Sequence, residues 1–185
     1  NTKLDGKIAM LDPTMAGSGS SWFYLALKEM GSDYLADFVK TRPMLVRDSR
    51  QLVEWIARSK YFIGIGVSTA LVNDFKNNGA PINMLPPMRE AREIRGGVSY
   101  TGFFNKAPHP NASVIFINWL LSKEGQTVFS RGQDTQSART DVPTDFISPD
   151  AVRKPGLSYF NSTTEDAESE KSEAMLIARE IFNIK

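Results

Sequence analysis

The run Gly17-Ser-Gly-Ser-Ser21 brings together the residues of this chain best suited to chemistry. Its two glycines let a ligand approach the backbone closely, and three hydroxyls stand beside them. At a helix start, such a run joins free N–H donors to a partial positive charge, which holds an anion or a carboxylate. The same residues also suit an ordinary strand-to-helix turn capped by Ser18, Ser20 or Ser21. Nucleotide loops fit poorly. A Walker loop needs lysine and then Ser or Thr after its last glycine, whereas Gly19 is followed by Ser20-Ser21. A dinucleotide fingerprint needs three glycines at set spacing, and two are present. A serine nucleophile would find Gly17-Ser-Gly19 too short for the hydrolase elbow and one histidine, His109, as its base. His109 sits between two prolines and reads as a loop residue leading into a helix. Arg139 and Asp141 read as a structural ion pair. No catalytic residue, metal ligand or cofactor is assigned.

Composition narrows the classes further. The 185 residues carry a formal net charge of +1. Residues 1–95 hold 13 basic and 10 acidic side chains, and residues 96–185 hold 9 and 11. That balance makes no electrostatic case for nucleic acid. The chain has no cysteine, so disulfides, thiolate metal sites and cysteine nucleophiles are excluded. No apolar run is long enough to span a bilayer, and no signal peptide is visible. The chain opens at Asn1 and enters a strand almost at once, which suggests a portion of something longer.

The elements that would position the turn follow from local pattern. Lys7 to Leu11 reads as a short buried strand, stopped by Asp12-Pro13. A helix then runs through Trp22, Phe23, Leu25, Ala26 and Met30, with Gly31 as its stop and a second short helix over Asp33–Lys40. Met44-Leu45-Val46 reads as a strand. Asp48 with Gln51 forms a capping-box pattern for a helix burying Leu52, Val53, Trp55 and Ile56. Tyr61–Val67 reads as a strand buried on both faces, its glycines marking close approach. Ser68 or Thr69 caps a helix with Leu71, Val72 and Phe75, closed by Asn77-Asn78-Gly79. Pro81–Leu85 reads as another strand, Arg95-Gly96-Gly97 as a break, and Val98–Phe104 as an extended segment. Helices follow over Asn111–Leu121, with Trp119 in the core, and from Ser122 through Phe129. Ser162 with Glu165 reads as the capping box of a last helix whose apolar face is Ala174, Met175, Ile177, Ala178, Ile181 and Phe182. Strand–helix alternation over 7–85 indicates an α/β domain with a largely parallel sheet flanked by helices.

Four segments together resemble the bacterial extracellular solute-binding proteins of ABC importers, the type 2 periplasmic binding proteins, in the branch that includes ferric-iron binders. They are Gly6–Thr14 with Gly17-Ser-Gly19, Gln51–Gly66, Ala107–Ala112 with Asn118–Gln126, and Ser137–Val142. The resemblance implies a two-lobe clamshell that closes on a small solute and presents it to a membrane permease. Residues 1–95 would form the second lobe and one wall of the cleft. Residues 96–185 would form a hinge strand and the C-terminal helical part of the first lobe, the rest of which would precede this chain. It implies Thr14, Ser18, Gly19, Ser20 and Trp22 as ligand contacts, with Val67, Ser68 and Thr69 behind them. It also implies a periplasmic or extracellular protein, soluble or lipid-anchored. A lone half could bury its open face against a second copy. Ferric binders of the family use adjacent tyrosines, and this sequence has no Tyr-Tyr pair, so an anion fits the turn better than iron. The competing readings are a sensory module of a membrane receptor and a serine hydrolase.

Overall fold

The structure is a computed structural model that describes residues 2–86, 88, 92–93, 101–162 and 164–184. The expected break at Arg95–Gly97, Val98–Tyr100 of the extended segment, Pro87 and Lys185 lie outside the described residues. The chain divides into two compact units, residues 1–93 with 158–185 and residues 94–157.

The first unit is built on a parallel sheet of three strands, β1 (Ile8–Leu11), β2 (Met44–Val46) and β3 (Ile63–Ile65), in the order β2-β1-β3. Ala9 pairs with Met44 on one side and with Gly64 on the other. Helices α1 (Ser18–Val39) and α2 (Ser49–Ala57) cover opposite faces. Ile8 and Met10 point to the α1 face, where they meet Trp22, Phe38 and Val39. Ala9 and Leu11 point to the α2 face, among Val46, Leu52, Trp55 and Tyr61. The period-two alternation of a strand explains the division, and burial on both faces explains why β1 is apolar throughout. Helix α3 (Thr69–Asn77) lies on the α2 side, with Val72 packed against Val53 and Ile82.

Local signals fix most boundaries. Asp48 caps α2 by accepting the Gln51 N–H at 2.7 Å, and Ser68 caps α3 by accepting the Leu71 N–H at 3.3 Å. Gly31 breaks α1 at φ +82°, ψ 172°, a conformation close to glycine-only; the two helices expected here are thus one element with a kink. Three expectations change. Tyr61–Val67 is not buried on both faces: only Ile63–Ile65 is strand, half-buried at an edge among the described residues. Pro81–Leu85 is not a strand; Pro81 has no N–H to give a ladder, and Ile82 is buried under α2 and α3 instead. Thr101–Phe104 forms no strand and is exposed.

The last helix, α6 (Glu165–Ile181), belongs to the first unit. Its capping differs from the expected Ser162 box. Thr164 is the N-cap, accepting the Ala167 N–H at 3.2 Å, while Ser162 is buried with its hydroxyl donated to Glu93. Ala167, Ala174 and Ala178 pack against Phe23, Tyr24, Ala26 and Leu35 of α1. The small side chains let the two helices approach closely. The Tyr24 hydroxyl donates to Glu170, which also pairs with Lys28 at 3.1 Å. Burial and the Glu170 carboxylate push the Tyr24 hydroxyl up to about 12, and the Tyr24 and Lys28 donors hold Glu170 below the usual carboxylate range. The placement of α6 with residues 1–93 differs from a division into 1–95 and 96–185.

The second unit contains α4 (Pro110–Leu121) and α5 (Lys123–Gln133). His109 is the N-cap of α4 and makes no side-chain capping bond. Ser122 caps α5 by accepting the Gly125 N–H at 3.1 Å. Arg139 and Asp141 form the expected pair, a fork at 2.9 and 2.8 Å, and Arg139 also donates to the Leu121 carbonyl at 3.1 Å. No residue of α4 is buried. Trp119, expected in the core, is 39% exposed, its ring 5.8 Å from that of Phe116 and tilted to it.

Candidate functional site

The glycine–serine turn joins the carboxyl end of β1 to α1. The neighbouring β3 turns the other way, into α3. Two adjacent parallel strands whose connections leave on opposite faces open a crevice at their carboxyl ends, which is where ligands bind open α/β sheets.

Two glycines pack together at this switch point. A Cβ on Gly19 would stand 2.3 Å from the Leu11 carbonyl oxygen and 2.9 Å from that of Asp12. Gly19 is therefore what allows the first turn of α1 to sit directly on the end of β1. Gly66, at φ +93°, approaches from β3; a Cβ there would lie 3.2 Å from Leu11 Cβ and 3.4 Å from the Gly19 nitrogen. The two glycines, far apart in sequence, thus meet backbone to backbone. The close approach inferred from the glycines of the Tyr61–Val67 stretch has a physical cause at each one, since Gly64 fits under Leu52 of α2.

The candidate residues sort by what their atoms already do. Ser21 N–H is the first to bond within the helix, to the Gly17 carbonyl at 3.1 Å. The N–H groups of Ser18, Gly19 and Ser20 precede it and have no intrahelical acceptor. Ser18 is half-exposed at the mouth of the turn. The Ser20 side chain is occupied: its oxygen accepts the Gly17 N–H at 3.1 Å and its hydroxyl donates to the Gly17 carbonyl at 2.9 Å. Thr14 is buried and donates its hydroxyl to Asp12 Oδ1 at 2.7 Å. Trp22 is half-buried, its ring 5.2 Å from that of Phe38, so it supports α1. Val67 is packed among Leu52, Val53 and Val72 on the α2 and α3 side. Ser68, exposed, caps α3, and Thr69 begins it. The structure brings Ser18 and Gly19 to the β1 side of the crevice and Gly66, Val67 and Ser68 to the β3 side; Thr14, Ser20 and Trp22 hold the turn in shape.

Asp12 and Arg47 have no place among the sequence-derived contacts. The Asp12 side chain is 8% exposed. Its Oδ1 accepts the N–H of Thr14 at 3.0 Å as well as the Thr14 hydroxyl. Its Oδ2 faces Nε of Arg47 at 3.4 Å. The Asp-x-Thr turn was legible, because an aspartate commonly bonds the backbone two residues on. Arg47 was not, because it reaches Asp12 only through the β1–β2 pairing, where the Asp12 N–H bonds the Val46 carbonyl at 2.8 Å.

The second unit has an open groove of about 390 Å³, lined by Thr101, Gly102, Ala112, Ser113, Phe116 and Ile117. None of these is charged, and Ser113 already donates its hydroxyl to the His109 carbonyl at 3.1 Å. The groove therefore has little with which to hold a charged solute.

Comparison with known proteins agrees with a binding role. A family model described as bacterial extracellular solute-binding protein matches residues 1–132. An uncharacterized protein of Haemophilus influenzae is 25% identical over 190 residues, covering 99% of this chain and 53% of its own length. The chain thus spans about half the length of that curated relative. No solved structure matches.

Proposed function

We propose that this chain, which belongs to the bacterial extracellular solute-binding proteins, captures a small anionic solute at the carboxyl ends of β1 and β3 and supplies it to an ABC importer. The family is generally one of binding proteins, and its name supports a periplasmic or extracellular location. The observation that carries the reading is the meeting of Gly19 and Gly66, which sets the first turn of α1 at the strand switch point. There the Ser18 N–H and hydroxyl carry no charge of their own, yet supply donors beside the positive end of α1.

Native mass spectrometry of the purified chain, set against a denatured spectrum, tests this. The expected result is a small anionic adduct that is lost on denaturation and weakened in Ser18→Ala. An adduct that is neutral or cationic, or one indifferent to changes at Ser18 and Gly19, would overturn the anion reading.

A further inference from the structure

Helix α4 is covered along one side. Ser113, Ile117 and Leu120 are half-buried, and every other residue of the helix is exposed. On the exposed side Ala112, Ile115, Phe116 and Trp119 recur at helical spacing as an unbroken apolar stripe. The groove lined by Thr101 and Gly102 runs beside it, and Ala112 and Phe116 belong to both. Phe103 and Phe104 follow at the rim of the groove, 49% and 82% exposed. With a whole aromatic side chain presenting about 150–250 Å², the exposed parts of Ile115, Phe116, Trp119, Phe103 and Phe104 come to roughly 600 Å². That is the upper end of what a soluble monomer leaves bare. Two copies joined there would bury about 1,200 Å² in total, the lower end for a specific complex.

Charge selects the occupant. In a twofold pair a patch meets itself, so any charge on it meets its own copy. Helix α4 contains no charged residue. Its exposed polar side chains are Asn111 and Asn118, and an amide both donates and accepts, so it can bond to its own copy. A charged partner would find no counter-charge on the helix, and a helix that lies on a membrane carries Lys or Arg along its polar face, which α4 lacks. Shape agrees as well. Ile115 projects from the stripe, 70% exposed, and the small residues Gly102 and Ala112 leave the neighbouring groove open. Knob and groove lie on one surface, as a self-complementary interface requires. We propose that the α4 stripe is a twofold interface between two copies of this chain, with Ile115 of each copy seated in the groove of the other. The proposal is independent of what the glycine–serine turn binds.

Sedimentation velocity of the whole chain, from micromolar to sub-millimolar concentration, tests this. The expected result is a monomer–dimer equilibrium that Ile115→Glu weakens by about tenfold or more, the effect of a central interface residue. Leu176→Glu is the matched control at an exposed leucine of α6 and should leave the equilibrium unchanged. The chain has no cysteine, so Asn118→Cys places a single thiol at the edge of the stripe. A short bismaleimide should join that variant into a covalent dimer, and adding Ile115→Glu should suppress the joining. Asn77→Cys, exposed at the end of α3, should not be joined. Melting midpoints check that each variant is folded, and Ile115→Ser replaces an Ile115→Glu chain that is not. A wild type that stays monomeric throughout, growth beyond the dimer, or equal weakening by Leu176→Glu overturns the proposal. So does the failure of both Ile115 variants to fold, because the chain itself would then be covering Ile115.

Discussion

At the scale of single residues, Gly19 is the most constrained position in the turn. Its missing side chain lets an α-helix start directly above the carbonyl oxygens of Leu11 and Asp12 at the end of β1. Gly19→Ala would force α1 off the strand, and we expect a loss of roughly 2–4 kcal/mol, read as a lowered urea midpoint, because the obstacle is backbone that cannot yield. Gly17 is the control. A Cβ there meets nothing, although its φ of +151° strains a side chain, so Gly17→Ala should cost less than Gly19→Ala. Equal losses would mean that close packing is not what glycine supplies at position 19. The need for glycine near here was legible from the Gly-Ser-Gly run. Which glycine packs and which merely turns was not, because that depends on where the Leu11 carbonyl points.

At the scale of elements, the docking of α6 on α1 controls the helix that carries the turn. Its packing surface combines Ala167, Ala174 and Ala178 with Ile177 and Ile181, and the Tyr24–Glu170–Lys28 cluster adds a polar contact at its edge. Glu170 is held below its ordinary 4.5 by the Tyr24 hydroxyl and then by Lys28. Its contribution is therefore present above about pH 4.5 and lost as pH falls through the lower folded value. Tyr24 is raised from 10.0 to about 12, first by burial. Its contribution is present below pH 10 and lost as pH rises toward 12. Stability measured against pH should show a plateau between these limits, and Glu170→Gln should flatten the acid limb. An unchanged acid limb would show that Glu170 does not couple folding to pH here. The Thr164 cap is a separate check. Thr164→Ala should cost about 1 kcal/mol, whereas the same change at Ser162 tests the Glu93 contact rather than the cap.

At the scale of the whole molecule, the second unit is short of covering. Helix α4 contains no charged residue and buries none of its side chains; Ile115 is 70%, Leu121 57% and Phe116 55% exposed. A helix apolar nearly all round is ordinarily buried, and patches of this kind drive association. Ile115→Glu should leave the unfolding midpoint within about 0.5 kcal/mol of wild type, as exposed positions do, and should reduce concentration-dependent sedimentation. A large loss of stability would mean that Ile115 is covered within the folded chain. The curated relative is about twice as long as this chain.

The sequence by itself determined the local grammar of this protein. Asp12-Pro13 ends β1, Asp48 and Ser68 start their helices, Gly31 kinks α1, and Gly17–Ser21 makes a strand-to-helix turn. Each of these depends on atoms within a few residues, so the residue types suffice. The family resemblance had the same source, since it rests on short ordered segments, and the family match over residues 1–132 agrees with it at the level of bacterial extracellular solute-binding proteins. Only the tertiary structure decided the order β2-β1-β3, the contact of Gly66 with Gly19, the placing of Arg47 beside Asp12 and the return of α6 to α1. It also decided which candidate side chains remain available: Ser18 does, while Thr14 and Ser20 are already bonded within the turn. Apolar periodicity marked α4 as helix and the centre of the Tyr61–Val67 stretch, Ile63–Ile65, as strand, but not as exposed and edge. The reason is that burial and charge compensation belong to pairs of surfaces. Their partners lie tens of residues apart, and only strand pairing and helix packing bring them within a few ångströms.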